Sequence, residues 1–125
     1  MRLSRPSAEV LQWIGLFAAP LAWTVQLVAG FGYTVGACGA VRGWGGSLST
    51  WEIAVTAAAA AVALGGQAAA VLAWRATRGT SDSDRPPAGR IHFFASAALL
   101  SNTIFLVVIL LGGITAVHLA PCRQA

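Results

Sequence analysis

The chain has 125 residues, of which 57% are hydrophobic and 10% charged, where a soluble domain carries about 25% charged residues. That leaves too little polar surface to coat a water-facing globule, so the composition specifies a single membrane domain. Eight arginines and four acidic residues give a net charge of +4. No basic stripe interleaved with aromatics accompanies that charge, which argues against nucleic acid as a partner.

Arg2 and Arg5 precede a stretch, positions 10–41, without Asp, Glu, Arg, Lys or His. This predicts a first membrane span over about 10–36, since a helix needs roughly 20 apolar residues to cross about 30 Å of hydrocarbon. Helix is required there because backbone polar groups in lipid must satisfy one another. Gln12, Trp23, Gln26, Gly30 and Tyr33 fall within an arc of about 80° on that helix, giving it one polar and aromatic face. Pro20 deletes a backbone donor and predicts a bend. Trp23 lies too deep for an interfacial belt, so Trp23 and Tyr33 are candidate packing residues or contacts to a partner or lipid. Gly32-x-x-x-Gly36 permits close helix approach.

A short glycine-rich connection, 39–50, leads into a second span over about 51–74. Ser49-Thr50-Trp51-Glu52 matches a capping box, with Ser49 as N-cap and Glu52 reaching back. The run TAAAAAVALGGQAAA predicts that this span is an inner surface facing helices rather than lipid. The polar loop 75–90, RATRGTSDSDRPPAGR, is expected to be mobile. A third span covers about 91–119 and holds His92 and His118 near its ends. Trp13 and Trp74 fall near one membrane interface and Trp44 and Trp51 near the other, as an aromatic belt requires.

Orientation follows from the arginines. Six (2, 5, 75, 78, 85 and 90) flank one side and two (42 and 123) the other, which places the N-terminus and the 75–90 loop in the cytoplasm and the C-terminus outside. The expected fold is therefore an all-α bundle of three transmembrane helices, N-terminus inside and C-terminus outside.

On this topology Cys38 and Cys122 both follow outward helix ends, on the oxidising side where disulfides persist. A bridge between them closes a loop of roughly 85 residues and contributes about 4 kcal/mol in the chain-entropy model. Two other readings stay open. The thiolates suit copper, with His118 on the face of Cys122. Val35-Gly36-Ala37-Cys38 also resembles a lipoprotein cleavage site, although the apolar stretch before it exceeds the 7–15 residues of a signal peptide.

Inside the bilayer the polar residues are amides. Counting ~1.5 Å per residue from the inner boundary, Gln67 lies at about 10 Å, Asn102 at about 16 Å and Gln26 at about 24 Å. Asn102 with Gln67 is the preferred interhelical pair. His92 and His118 are about 39 Å apart on one helix, so one haem cannot bridge them, and both are expected to be solvated at the headgroups. No carboxylate or basic side chain is expected deep in a span, where pumps and membrane enzymes place such groups. No catalytic residue, metal site or cofactor is assigned.

Span one, GLFAAPLAWTVQLVAGFGYTVGAC, and the end, RIHFFASAALLSNTIFLVVILLGGITAVHLAPC, combine a mid-helix proline and tryptophan, a tyrosine, a cysteine after span one and a terminal Pro-Cys. That pattern resembles small bacterial membrane proteins associated with haem-copper cytochrome c oxidases, across most of the chain. The resemblance implies a non-catalytic accessory or assembly subunit whose partners are larger membrane subunits and phospholipid. Two alternatives remain: a small homo-oligomeric transporter or channel with a lumen of Gln12, Gln26 or Asn102, and a thiol or copper-handling membrane protein.

Overall fold

A computed structural model describes residues 5–39 and 48–118, and every regular element among them is an α-helix. Helix α1 runs Arg5–Cys38, α2 Leu48–Ala76 and α3 Ala88–His118. All three are long and apolar enough to cross a membrane. Their 34, 29 and 31 residues span about 51, 44 and 47 Å, so each outreaches the hydrocarbon and brings its end residues to headgroup level. Consecutive helices are antiparallel neighbours, so the start of α1 and the 75–90 loop share one end of the bundle. Cys38 and His118 lie at the other.

The buried residues explain why these helices associate. In α1 they are Ala8, Gln12, Gly15, Ala19, Ala22, Gln26 and Gly30, in steps of mostly four and three residues. The same spacing recurs in α2 through Ala59, Ala63, Gly66, Ala70 and Ala73, and in α3 through Ile91, Ala95, Ala98, Asn102, Ile109 and Gly113. Steps that average about 3.6 residues match the turn of the α-helix itself, so one seam of each helix keeps facing its neighbours along nearly straight helices. Most of these side chains are Ala or Gly, so the gain comes from backbone approach rather than from burying large groups. A methyl on Gly66 would stand 2.7 Å from Ala18 Cβ, and one on Gly15 would stand 3.0 Å from the backbone nitrogen of Ala70. Bulk enters where Ile109 joins Ala19, Ala22, Ala59 and Ala63 in one cluster, against which Trp23, Phe105 and Leu106 pack.

Outside the seam the helices are lined with exposed Leu, Ile, Val and Phe, such as Leu21, Val28, Phe31, Leu100, Ile104 and Leu111. Water would penalise that surface; a bilayer does not.

Two sequence expectations change here. The second span is no more interior than the first, with 28% of the most apolar window buried in each. In a triangular bundle every helix has two neighbours and one lipid face, whatever its alanine content. Gly32 and Gly36 pack against nothing among the described residues; a methyl on either would meet open space there. Between Ala76 and Ala88 the chain takes a run of defined turns. Thr80 N–H bonds Thr77 O (3.0 Å), Asp84 N–H bonds Ser81 O (2.9 Å), and Asp84 Oδ2 accepts from Ser81 N–H (2.7 Å). Gly79 takes φ 88°, a left-handed conformation that glycine adopts without steric cost. Helix α1 continues through Pro20.

Candidate functional site

The interior polar groups occupy successive levels of the bundle. Gln26, on the α1 seam, donates through Nε2 to Thr56 Oγ1 of α2 and to the Ile109 carbonyl of α3, both at 3.1 Å. One amide thus joins all three helices. The junction fits because Gly113 of α3 packs directly on Thr56, where any side chain would hold α2 and α3 apart.

Asn102 sits one level nearer the loop end. Its Nδ2 donates to Gly15 O at 2.8 Å, not to Gln67. The expected Asn102–Gln67 bond is therefore not made. Gly15 has no Cβ, so its carbonyl stays open to α3. Gln67 lies one residue past the seam position Gly66, turned about 100° away, and its buried Oε1 has no partner. Asn102 Oδ1 is likewise unpaired. Gln12, 0% exposed, leaves both amide atoms without a partner. The predicted polar face of α1 thus resolves into seam positions Gln12, Gln26 and Gly30, with Trp23 and Tyr33 half-buried beside them.

Both aromatic candidates stack inside their own bundle. Trp23 meets Phe105 with centroids 5.6 Å apart. Tyr33 stacks on Trp51 at 5.0 Å and 25°, while Trp51 Nε1–H reaches the Ala29 carbonyl at 3.3 Å. Trp51 is therefore a link between α1 and α2 as well as an interfacial residue.

Glu52 is the residue that the sequence placed least well. Helix α2 begins at Leu48, so Ser49 lies within the helix rather than capping it. Glu52 is buried at 6% exposure, with its oxygens 3.0 and 3.2 Å from where a Gly30 Cβ would stand. Thr34 Oγ1 makes a long contact to Oε1 at 3.5 Å. A carboxylate thus lies between α1 and α2, inside the helical bundle. The available signal was its position seven residues before Ala59, on the buried seam.

The histidines also separate. His118 is exposed at the end of α3. His92 is half-buried rather than solvated: Nδ1 lies 3.1 Å from Thr77 Oγ1, and the ring stacks on Trp74 at 6.4 Å. Next to it Arg90 forms an ion pair with Glu9 of α1. Cys38 ends α1, while Cys122 lies outside the described residues, and the expected pairing lies outside them with it. Among the described residues no three His, Cys, Asp or Glu side chains are grouped to hold a metal ion.

On the outer surface a groove of about 500 Å³ runs between α1 and α2. Its walls are Ala18, Leu21, Ala22, Val25 and Ala29 on one side and Val55, Ala58, Ala59 and Val62 on the other, with Gln26 and Trp51 also reaching it. No protein-family model matches the chain, and neither does any curated protein or solved structure.

Proposed function

We propose that this chain is a non-catalytic accessory or assembly subunit of a respiratory complex in the bacterial cytoplasmic membrane, with a haem-copper terminal oxidase as its partner. The observation that carries the subunit reading is the α1/α2 groove. Lipid tails pack against leucine as well as another helix does, so helix association in membranes gains chiefly where small residues let backbones approach. The groove offers Ala29 and Ala58, alongside Ala18 and Ala22, which already pack within the bundle. On the helical spacing Gly32 and Gly36 of α1 and Gly65 of α2 continue it, three glycines that meet nothing among the described residues. Small residues left without a helix to receive them fit a chain that packs against another membrane protein. The choice of an oxidase rests on the resemblance of the two end segments.

The same geometry weighs against a homo-oligomeric pore. Gln26 and Asn102, which would face a lumen between copies, are turned into the bundle and bonded there. Six arginines against two put the N-terminus and the 75–90 loop in the cytoplasm. Cys38 closes α1, and Cys122 follows the end of the parallel helix α3 by four residues. In this reading a disulfide ties those two ends together on the oxidising side. Phospholipid covers the remaining apolar faces.

The test is purification in mild detergent at near-native expression, with mass spectrometry of every co-purifying chain and a visible absorption spectrum. Stoichiometric recovery of large haem-bearing oxidase subunits is expected. A colourless oligomer of this chain alone refutes the proposal.

A further inference from the structure

At the loop end of the bundle two basic side chains share one indole. Trp74, in the last turn of α2, carries the Arg78 guanidinium 4.9 Å from its ring centroid. The His92 imidazole of α3 stacks on the same residue, with centroids 6.4 Å apart and planes 25° apart.

That imidazole is held in one orientation. Thr77 Oγ1 lies 3.0 Å from the Ala73 carbonyl and 3.2 Å from the Trp74 carbonyl, groups that can only accept. The same hydroxyl meets His92 Nδ1 at 3.1 Å, which ties that edge of the ring to the end of α2 and turns the Nε2 edge away from Thr77.

The surrounding charge is positive on balance: among the described residues Arg75, Arg78, Arg85 and Arg90 lie at this end with Glu9, Asp82 and Asp84. Among the described residues the ion pair at this end joins Arg90 to Glu9, and no carboxylate pairs with the exposed Arg75 or Arg78. An indole at the end of a spanning helix lies at headgroup level. A guanidinium presents parallel N–H groups that match two phosphate oxygens. Leu72 of α2 and Phe93 of α3 are exposed near the same end of the bundle, apolar surface that a free anion cannot use and an acyl chain can.

We propose that Arg78 and His92, mounted on Trp74, bind the phosphate of an anionic phospholipid, with Arg75 adding to the local field. A zwitterionic lipid presents the same phosphate, but its ammonium is repelled by the two arginines. The proposal rests on α2 and α3 crossing a bilayer, and it is independent of which larger protein the chain accompanies.

Native mass spectrometry of the full chain in a mild non-ionic detergent tests it, with equimolar phosphatidylglycerol and phosphatidylcholine of matched acyl chains. Phosphatidylglycerol is expected to be retained roughly tenfold over phosphatidylcholine, and Arg78→Gln should lower its retention about fivefold, the effect of one arginine near a membrane surface. His92→Gln should lower it as well. Arg85→Gln, in the exposed part of the loop, should leave it unchanged, and excess sodium phosphate should not displace the lipid. Three results overturn the proposal: equal retention of both lipids, an Arg85→Gln loss as large as that of Arg78→Gln, or displacement by sodium phosphate. The first denies selectivity, the second shows a diffuse charge effect and the third a free-anion site. Arg78 is exposed, so its replacement leaves the fold intact.

Discussion

Replacing Gln26 with Leu tests whether amides hold this bundle together. The substitution keeps the side chain's approximate volume and removes the Nε2 bonds to Thr56 Oγ1 and Ile109 O. Interhelical hydrogen bonds in membranes average about 0.6 kcal/mol and reach about 1.7. Two of them set a loss of roughly 1–3 kcal/mol. The lower part of that range is expected, because Ile109 O keeps its own helical partner and a threonine hydroxyl can turn to a carbonyl one turn back. The assay is far-UV circular dichroism during SDS titration in mixed micelles, applied to Gln26→Leu, Thr56→Val and the double variant. Valine preserves the methyl that packs on Gly113, so the cycle isolates the hydrogen bond. A coupling of about 0.6–1.7 kcal/mol is expected. If Gln26→Leu is as stable as the parent, or the two changes add within about 0.3 kcal/mol, the amide does not join these helices and the account of the junction is wrong.

Gln12 should behave in the opposite sense: with both amide atoms buried and unpaired, Gln12→Met is expected to raise stability by about 1–3 kcal/mol, and a loss would show that the amide has found a partner. Gly66→Ala pushes a methyl onto Ala18 Cβ and should cost about 1–3 kcal/mol in the same titration. Gly65→Ala, facing open space, should cost nothing, and equal losses would contradict the packing described. Cys38→Ser is expected to lower stability by up to about 4 kcal/mol and to abolish any mobility shift between reduced and oxidised gels; an unaltered melting profile would remove the proposed disulfide.

The three helices were legible because hydrocarbon thickness imposes a length and the charges stop at its borders. Rotation about each helix axis was harder to read. In α2 the residues from Thr56 to Ala63 are small or apolar on every side, so composition could not separate the seam of Ala59 and Ala63 from the lipid-facing Ala57 and Ala58. The polar residues did mark the seam in α1, where Gln12 and Gln26 lie fourteen residues apart and both are buried. Depth alone paired Asn102 with Gln67. What decides the bond is azimuth, and Gly15 supplies an acceptor that no count of polar side chains includes.

Glu52 shows the same limit at a span border. A span over about 51–74 places Glu52 at its very edge, and the capping pattern then offers a sufficient role. The helix begins at Leu48 instead, which carries the carboxylate about one turn into α2 and onto the buried seam, facing Gly30. His92 is the matching case at the loop end: α3 begins at Ala88, so the imidazole is already inside the helix and within reach of Thr77. Charged and titratable residues that bracket an apolar run are therefore poor markers of where a helix starts. Their spacing from the nearest buried alanine, in steps of three, four and seven, is the better guide to whether they face solvent or the neighbouring helix.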